Sequence, residues 1–106
     1  MPATLPKDFV AASAPPMILA LLEKADSYGY ELIQQAETLS EGQFRWAEGM
    51  LYPLLHRLEN KSWIEAYWGK APTGRKRKYY RITQEGKSVL AEQRKQWQQV
   101  NHLLQQ

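Results

Sequence analysis

The sequence predicts a mainly α-helical domain that carries one small β-hairpin. Three stretches between residues 16 and 61 have helix-forming apolar patterns. Two alternating runs, Ile64–Trp68 and Lys78–Ile82, flank a turn signal at Pro72-Thr73-Gly74. A last stretch of about twenty residues has apolar positions that recur every seven residues, which is typical of a helix that packs along another helix.

Length and composition restrict the class of protein. The chain has 106 residues, 43% of them hydrophobic and 24% charged, which predicts one folded domain and argues against disorder. It contains no cysteine, so a disulfide framework and a thiolate zinc site are excluded. The apolar run at residues 17–22 is too short to span a bilayer, and Pro15, Pro16 and Asp8 argue against a signal peptide. We therefore expect a soluble cytoplasmic protein with no membrane partner.

The first helix is expected to begin at Pro16 and to end near Ala25. Proline suits the first position of a helix, because its missing donor falls where donors are unpaired anyway. Residues 7–12 before it are expected to form a short, separate helical arm.

A second helix is expected over residues 28–39, with Asp26 or Ser27 as its cap. Glu41-Gly42 should end the helical region. The apolar residues that fall on one face of this helix are Tyr28, Leu32, Ile33 and Ala36.

The third helix, over about residues 47–61, has the clearest pattern in the chain. Its buried stripe follows the i, i+3, i+4, i+7 rule and consists of Leu51, Leu54, Leu55 and Leu58. The opposite face consists of Gly49, Pro53, His56 and Asn60, flanked by Tyr52 and Arg57. Pro53 cannot donate to the carbonyl of Gly49, so an irregular start is expected, and Gly49 is the residue best able to absorb it. A small outward face of this kind suits insertion into a groove.

Positive charge is concentrated in the hairpin. Six cations lie between residues 70 and 81, namely Lys70, Arg75, Lys76, Arg77, Lys78 and Arg81. The rest of the chain has eight basic and eleven acidic residues, so the positive field is local. Such a patch predicts contact with a polyanion, most simply the phosphates of nucleic acid. In the return strand, Tyr80 and Ile82 should face the core together, while Tyr79 and Tyr80 divide between phosphate contact and anchoring the strand.

The last helix is expected from Gln84 to about Leu104, with Thr83 as its cap. Leu90, Trp97 and Leu104 recur every seven residues, and Val89, Val100 and Leu103 lie beside them. This seam needs a partner helix, and a symmetric homodimer supplies one. The residues predicted to form the dimer contact are Leu90, Trp97, Val100 and Leu104.

Helices, basic hairpin and dimerisation helix together predict a winged helix-turn-helix protein that binds double-stranded DNA. Residues 1–83 would form the arm and the DNA-binding domain, and residues 84–106 the dimerisation helix. The third helix would enter the major groove while the hairpin reaches flanking phosphates. The predicted DNA-binding residues are Gly49, Tyr52, Pro53, His56, Arg57 and Asn60 of the helix, with Lys70, Arg75, Lys76, Arg77, Lys78 and Tyr79 of the hairpin.

Three stretches follow one another along the chain: MILALLEKADSYGYEL, GMLYPLLHRLE and GRKRKYYRITQEG. In order and spacing they resemble the PadR family of transcriptional regulators, over roughly residues 17–86. The single short terminal helix resembles the smaller branch of that family, the branch with multidrug-responsive members. The resemblance implies that this helix dimerises and that a planar aromatic effector binds between paired tryptophans. Trp97 occupies the matching position, and Gln93 and Val100 complete the predicted ligand-binding set.

The chain departs from the family pattern at both ends of the third helix. Ala47 and Met50 stand where a Ser or Thr is usual, so a hydroxyl for capping or phosphate contact is missing. Ser62 stands where the helix commonly ends with Gly, and Asn60 is expected to take the left-handed conformation instead.

Several residues have a purely structural interpretation beside the functional one. Tyr52 is as well explained by half-buried packing, and Arg57 by a surface ion pair with Glu31 or Glu48. His56 is expected to contact DNA, with base or phosphate left open. The basic hairpin could serve only solubility. The tryptophans expected to lie in the core rather than at a ligand site are Trp46, Trp63 and Trp68.

Two hypotheses of function remain open. The first is a dimeric repressor that binds an inverted-repeat operator and is released by a planar hydrophobic ligand, with Trp97 either stacking on that ligand or only filling the dimer seam. The alternative is a ligand-sequestering or protein-interaction module with the same fold. The sequence has no phosphate loop and no metal-ligand spacing, so neither an enzyme nor a cofactor is expected.

Overall fold

The computed structural model describes residues 5–106, which form a helical domain with one antiparallel sheet. The helices are α1 (Lys7–Lys24), α2 (Gly29–Leu39), α3 (Glu48–Asn60) and α4 (Gln84–Leu104). The strands are β1 (Ser27–Tyr28), β2 (Ile64–Lys70) and β3 (Lys76–Ile82), in the sheet order β1-β3-β2. The mainly α fold with a hairpin is therefore confirmed. Within residues 5–106 no helix is both long and apolar enough to cross a membrane.

Helix α1 is continuous, so the prediction of a separate arm and a helix that begins at Pro16 was wrong. Pro15 and Pro16 both lie inside α1. Tertiary packing explains why two prolines do not end the helix: Ser13 and Ala14 are buried, and Phe9 packs its ring against Phe44. The carbonyls that lose their helical donors belong to exposed residues, which leaves them open to water.

The start of α2 differs from the expected cap. Tyr28 is the N-cap, and no side chain caps this helix, so the assignment of Asp26 or Ser27 to that role was wrong. Ser27 and Tyr28 instead pair with Tyr80 and Tyr79 as the short edge strand β1. The helix ends before Glu41 and Gly42, which both have positive φ, as the predicted break requires.

Helix α3 buries the four predicted leucines, Leu51, Leu54, Leu55 and Leu58. Its N-cap, Ala47, makes no side-chain hydrogen bond to the amides of the first turn, because alanine has no hydroxyl to accept one. At the other end Ser62, with φ 65°, adopts the left-handed conformation, and Asn60 remains helical. The expectation for Asn60 was therefore wrong, because the chain reverses two residues later, where the amide of Trp63 donates to the carbonyl of Leu58.

Strands β2 and β3 extend further toward the turn than the alternating runs in the sequence indicate. They pair from Ile64 with Ile82 out to Lys70 with Lys76. Gly74, with φ 87°, supplies the left-handed residue of the turn, and its amide donates to the carbonyl of Ala71. Tyr80 and Ile82 are both buried, as the alternation predicts.

Helix α4 begins where predicted, with the Thr83 hydroxyl accepting from the amide of Gly86 at 3.0 Å. Its first half packs along α1, and Leu90 is 1% exposed in the core of its own chain. Leu90 therefore has no surface left for a second chain, which corrects its assignment to the dimer seam. The seam of α4 requires a partner helix, and α1 provides one over this first half.

The tryptophans lie at different depths. Trp46 is buried, as expected, and Trp63 is half-buried at the edge of the core. Trp68 is 70% exposed, so the expectation that it belongs to the core was wrong. It points to the same side of the sheet as the core residues of β2, but it lies beyond the place where the core ends.

Candidate nucleic-acid interface

The outward face of α3 is open to solvent. Every residue that the sequence places on it is exposed: Gly49, Tyr52, Pro53, His56, Arg57 and Asn60. Arg57 forms no ion pair with Glu31, Glu48 or any other acid of residues 5–106. Its charge, and the imidazole of His56, are therefore available to an external group. The structure brings these six residues together on one surface.

Tyr52 is only partly exposed, because its ring also packs against the start of α2. It is 41% exposed, and its ring lies so close to Gly29 that a Cβ atom there would stand 2.5 Å from the Tyr52 hydroxyl oxygen. The ring therefore joins the start of α2 to the middle of α3 and presents one edge to solvent. Both interpretations of Tyr52, packing and external contact, fit this position.

The hairpin divides the predicted cations between its two faces. Lys78 pairs across the strands with Trp68, and Lys76 pairs with Lys70, so alternation places these four on the side of the sheet that carries the core. The Lys78 Nζ lies 3.8 Å from the Glu59 carboxylate in the last turn of α3. This contact places the lysine face of the hairpin next to the outward face of α3.

The other face of the sheet carries Arg77 and Tyr79. Tyr79 stacks on Tyr67 with ring centroids 5.7 Å apart and meets Tyr28 edge-on at 5.3 Å. The Arg77 guanidinium lies 5.2 Å from the centre of the Tyr28 ring, in cation–π geometry. The Tyr79 hydroxyl donates to the carbonyl of Lys70 at 3.2 Å. Arg77 and Tyr79 are thus not grouped with Lys76 and Lys78.

Tyr67 on this second face donates a 2.5 Å hydrogen bond to Asp26 Oδ2, just before β1. This bond raises the pKa of the Tyr67 hydroxyl above its usual 10.0, because the carboxylate favours the protonated form. Neighbouring Arg81 pairs with Glu65 at 2.9 Å, so its charge is already balanced. Sequence reasoning missed this network, since nothing in the pattern shows that the chain before α2 pairs with the hairpin.

Trp68 lies exposed beside the cations of the hairpin, although the sequence analysis assigned it to the core. Alternation predicts its side of the sheet correctly, but it does not predict the depth of the core under the hairpin. A signal was present, because Trp68 is followed at once by Gly69-Lys70 and the cationic turn. A hydrophobic residue that close to a solvated turn is often beyond the core.

A second surface lies between α1 and α4. Trp97, 39% exposed, meets the Phe9 ring edge-on at 6.5 Å. Both residues line an open groove of about 520 Å³, with Met17, Arg94 and Asn101 among its other walls. The lining does not include Gln93 or Val100, so the structure does not bring the predicted ligand-binding set into one groove.

The second half of α4 leaves its apolar side chains without partners in the described chain. Val100, Leu103 and Leu104 are exposed, and the last two are more than two-thirds exposed. They follow Trp97 along the helix at the spacing of a seam. An apolar row of this kind on a small protein usually marks a contact surface.

The four helices of residues 5–106, with a basic hairpin and an open third helix, define a winged helix-turn-helix regulator. The model of the PadR-like family of transcriptional regulators matches residues 18–92. The chain therefore belongs to the PadR-like family, whose members regulate transcription and are not enzymes. The resemblance seen in the sequence is confirmed.

Relatives with known sequences and structures agree with this assignment. An uncharacterized protein of Lysinibacillus sphaericus is 40% identical over 97 residues, which cover 92% of this chain and 89% of that protein. The transcriptional regulator YqjI of Escherichia coli is 34% identical over 79% of this chain, which spans only 39% of YqjI.

Solved structures share the whole fold. A transcriptional regulator from Clostridium thermocellum superposes with a TM-score of 0.85 at 29% identity, over 95% of both chains. A PadR-like transcriptional regulator from Bacillus cereus gives a TM-score of 0.79 at 33% identity, over 94% of this chain and 99% of the other.

Proposed function

We propose that the protein is a dimeric repressor that binds an inverted-repeat operator. The observation that carries the proposal is the contact between Lys78 and Glu59, 3.8 Å apart, which sets the lysine face of the hairpin beside α3. One continuous surface then offers a groove-sized helix and a row of cations. A major groove accepts such a helix, and phosphates on its rim accept the cations.

Dimerisation would place two copies of α3 in successive major grooves, about 34 Å apart. The exposed row formed by Trp97, Val100, Leu103 and Leu104 supports α4 as the dimer contact. The division into a DNA-binding domain, residues 1–83, and a dimerisation helix, residues 84–106, belongs to the same proposal. The first half of α4 would then hold the two parts together, because Leu90 is buried in the core.

A planar aromatic effector would bind beside Trp97. The groove of about 520 Å³ between α1 and α4 supports this part of the proposal, because Phe9 and Trp97 form an aromatic corner within it. Its lining adds Arg94 and Asn101 as polar groups that could orient a ligand. The ligand would release DNA only to the extent that it binds the released state more tightly.

The test of the proposed function is selection of preferred sites from random duplex DNA, followed by binding measurements over a range of salt. Replacing Arg75, Lys76 and Arg77 with Ala should weaken binding and lower the salt slope by roughly 0.9 for each phosphate that the variant no longer neutralises. A matched variant removes three exposed helix lysines, Lys24, Lys87 and Lys95, and so makes the same change in net charge.

The matched variant should keep the slope of the parent protein. Failure to select any preferred DNA site would contradict the proposal of a repressor and would favour a ligand-sequestering or protein-interaction role. An unchanged slope in the hairpin variant would remove the hairpin from the mechanism.

A further inference from the structure

Trp68 is a large aromatic residue that the fold leaves outside the core. Trp68 is 70% exposed, although it is the fifth residue of a seven-residue strand. Single exposed apolar residues are common on protein surfaces, so exposure alone does not indicate a contact. What distinguishes Trp68 is the set of lysines around it on its face of the hairpin.

The register of the hairpin fixes the direction of the ring. Ile64 pairs with Ile82 and Ala66 with Tyr80 on the side of the sheet that covers the core. Trp68 pairs with Lys78 on the same side, one step nearer to the turn. Since Lys78 reaches Glu59 in the last turn of α3, the Trp68 ring lies on the same side of the sheet as α3.

The surroundings of the ring are cationic. Lys78 lies directly across from it, and the next pair on this face is Lys70 with Lys76. Of these three lysines, only Lys78 forms an ion pair within the described chain, and that pair is long and partly exposed. A flat indole ring surrounded by ammonium groups is complementary to a sugar–phosphate backbone, in which the apolar faces of the sugars alternate with anionic phosphates.

We propose that the Trp68 ring lies flat against the deoxyribose backbone of the DNA strand that borders the groove filled by α3, with Lys70, Lys76 and Lys78 on the adjoining phosphates. This inference rests on the proposed function, since it names a further contact of the same surface. The contact involves sugar rather than base edges, so it adds affinity without sequence preference.

The experiment compares the full-length protein with its Trp68→Ala and Trp68→Phe variants, using fluorescence anisotropy with labelled duplexes at several salt concentrations. Trp68→Ala should weaken binding roughly 10-fold, as expected when about 50 Å² of apolar surface is no longer removed from water. Because the indole carries no charge, the salt slope should stay as in the parent protein. Lys78→Gln should instead lower that slope by roughly 0.9.

Intrinsic tryptophan emission gives an independent readout. Trp68 is far more exposed than Trp46 or Trp63, so DNA should alter its emission most. Trp68→Phe should remove the change in emission that DNA produces, while a Trp97→Phe variant should keep it. Both variants alter one aromatic ring, which makes the pair a matched control.

The possible failures are distinguishable. If the parent protein selects no preferred site and shows no salt-dependent binding, the proposed function fails and this inference with it. If the parent binds and Trp68→Ala binds equally well, with the emission change intact in Trp68→Phe, the inference alone is overturned. A loss confined to the selected site, with binding to mixed DNA unchanged, would also overturn it, because that result indicates base contact.

Discussion

The ring of Tyr52 on α3 closes over Gly29 at the start of α2, where a Cβ atom would come within 2.5 Å of the tyrosine hydroxyl and 2.6 Å of the ring. Gly29→Ala should therefore push the ring away and lower the free energy of unfolding by about 1 kcal/mol. The same substitution in a Tyr52→Ala background should cost almost nothing, since the ring is gone. Urea unfolding of the four proteins measures the coupling.

Gly49 provides the control for this prediction. It also lies in a helix, but a Cβ atom added there meets nothing within 4 Å. Gly49→Ala should raise the free energy of unfolding by up to about 1 kcal/mol, because alanine favours the helix over glycine. If Gly29→Ala lowers the free energy of unfolding equally in the parent protein and in the Tyr52→Ala background, the contact between Gly29 and the Tyr52 ring does not affect stability.

Alkaline stability should report on the hydrogen bond between Tyr67 and Asp26. The bond needs a protonated hydroxyl, so the Tyr67 pKa is higher in the folded chain than its usual 10.0. Its contribution is fully present below pH 10 and is lost as the pH rises through the folded pKa. Tyr67→Phe should unfold about 0.5–1 kcal/mol more easily near pH 8, and this difference should shrink above pH 10. Urea midpoints at several pH values measure it.

Asp26→Asn separates the charge from the hydrogen bond. The amide oxygen still accepts from Tyr67, but it no longer favours the protonated hydroxyl as strongly as a carboxylate does. The variant should keep much of the stability near pH 8 and should lose it at a lower pH than the parent protein. A Tyr67→Phe protein with the same stability as its parent at every pH would contradict the assigned bond.

The features predicted correctly from the sequence are those set by local pattern. The leucines of α3 repeat with helical spacing, and Thr83 stands three residues before the amide of Gly86 that it caps. The features predicted wrongly depend on distant contacts. Pro15 and Pro16 look like a helix start, yet the packing of Phe9 against Phe44 and Trp97 keeps α1 continuous.

The same limit applies to the interface. Alternation shows which side of a strand a residue faces. The sequence could therefore predict that the lysines and Trp68 lie on the same side of the sheet. It does not show where the core ends, and only the structure places Trp68 beyond it. The edge strand β1 has two residues, too few for any periodic signal, so the packing of Tyr28 under Arg77 could not be predicted.

Glu59 should weaken DNA binding in the native protein. Its carboxylate adds negative charge beside the outward face of α3 and engages Lys78 at 3.8 Å. Glu59→Gln should remove the repulsion between this carboxylate and phosphate and raise affinity roughly 5-fold at low salt, a gain that shrinks as added salt screens the charge. The free energy of unfolding should change by less than about 1 kcal/mol, since the ion pair is 3.8 Å long and partly exposed.

Glu65→Gln is the matched control for Glu59→Gln. It makes the same charge change, but Glu65 pairs with Arg81 at 2.9 Å on the opposite face of the sheet. Its affinity for DNA at low salt should stay close to that of the parent protein. If both variants gain affinity equally, net charge alone explains the effect and the lysine face has no special position.

Trp97→Ala should abolish the binding of a planar cationic dye, because it removes the exposed ring of the groove between α1 and α4. The dimer should persist, since Val100, Leu103 and Leu104 remain. Fluorescence titration measures the dye, and light scattering measures the molar mass. Trp68→Ala, which removes an exposed tryptophan far from this groove in the chain, should bind the dye normally.

A Leu103→Asp, Leu104→Asp double variant tests the dimer contact of α4. Two carboxylates in an apolar seam are costly to bury, so the variant should run as a monomer while its core stays folded. If the effector needs two copies of Trp97, the monomer should also lose the dye. If the monomeric variant still binds the dye, the site lies within one chain, beside Phe9. If the Trp97→Ala protein still binds the dye, Trp97 is not part of the dye site.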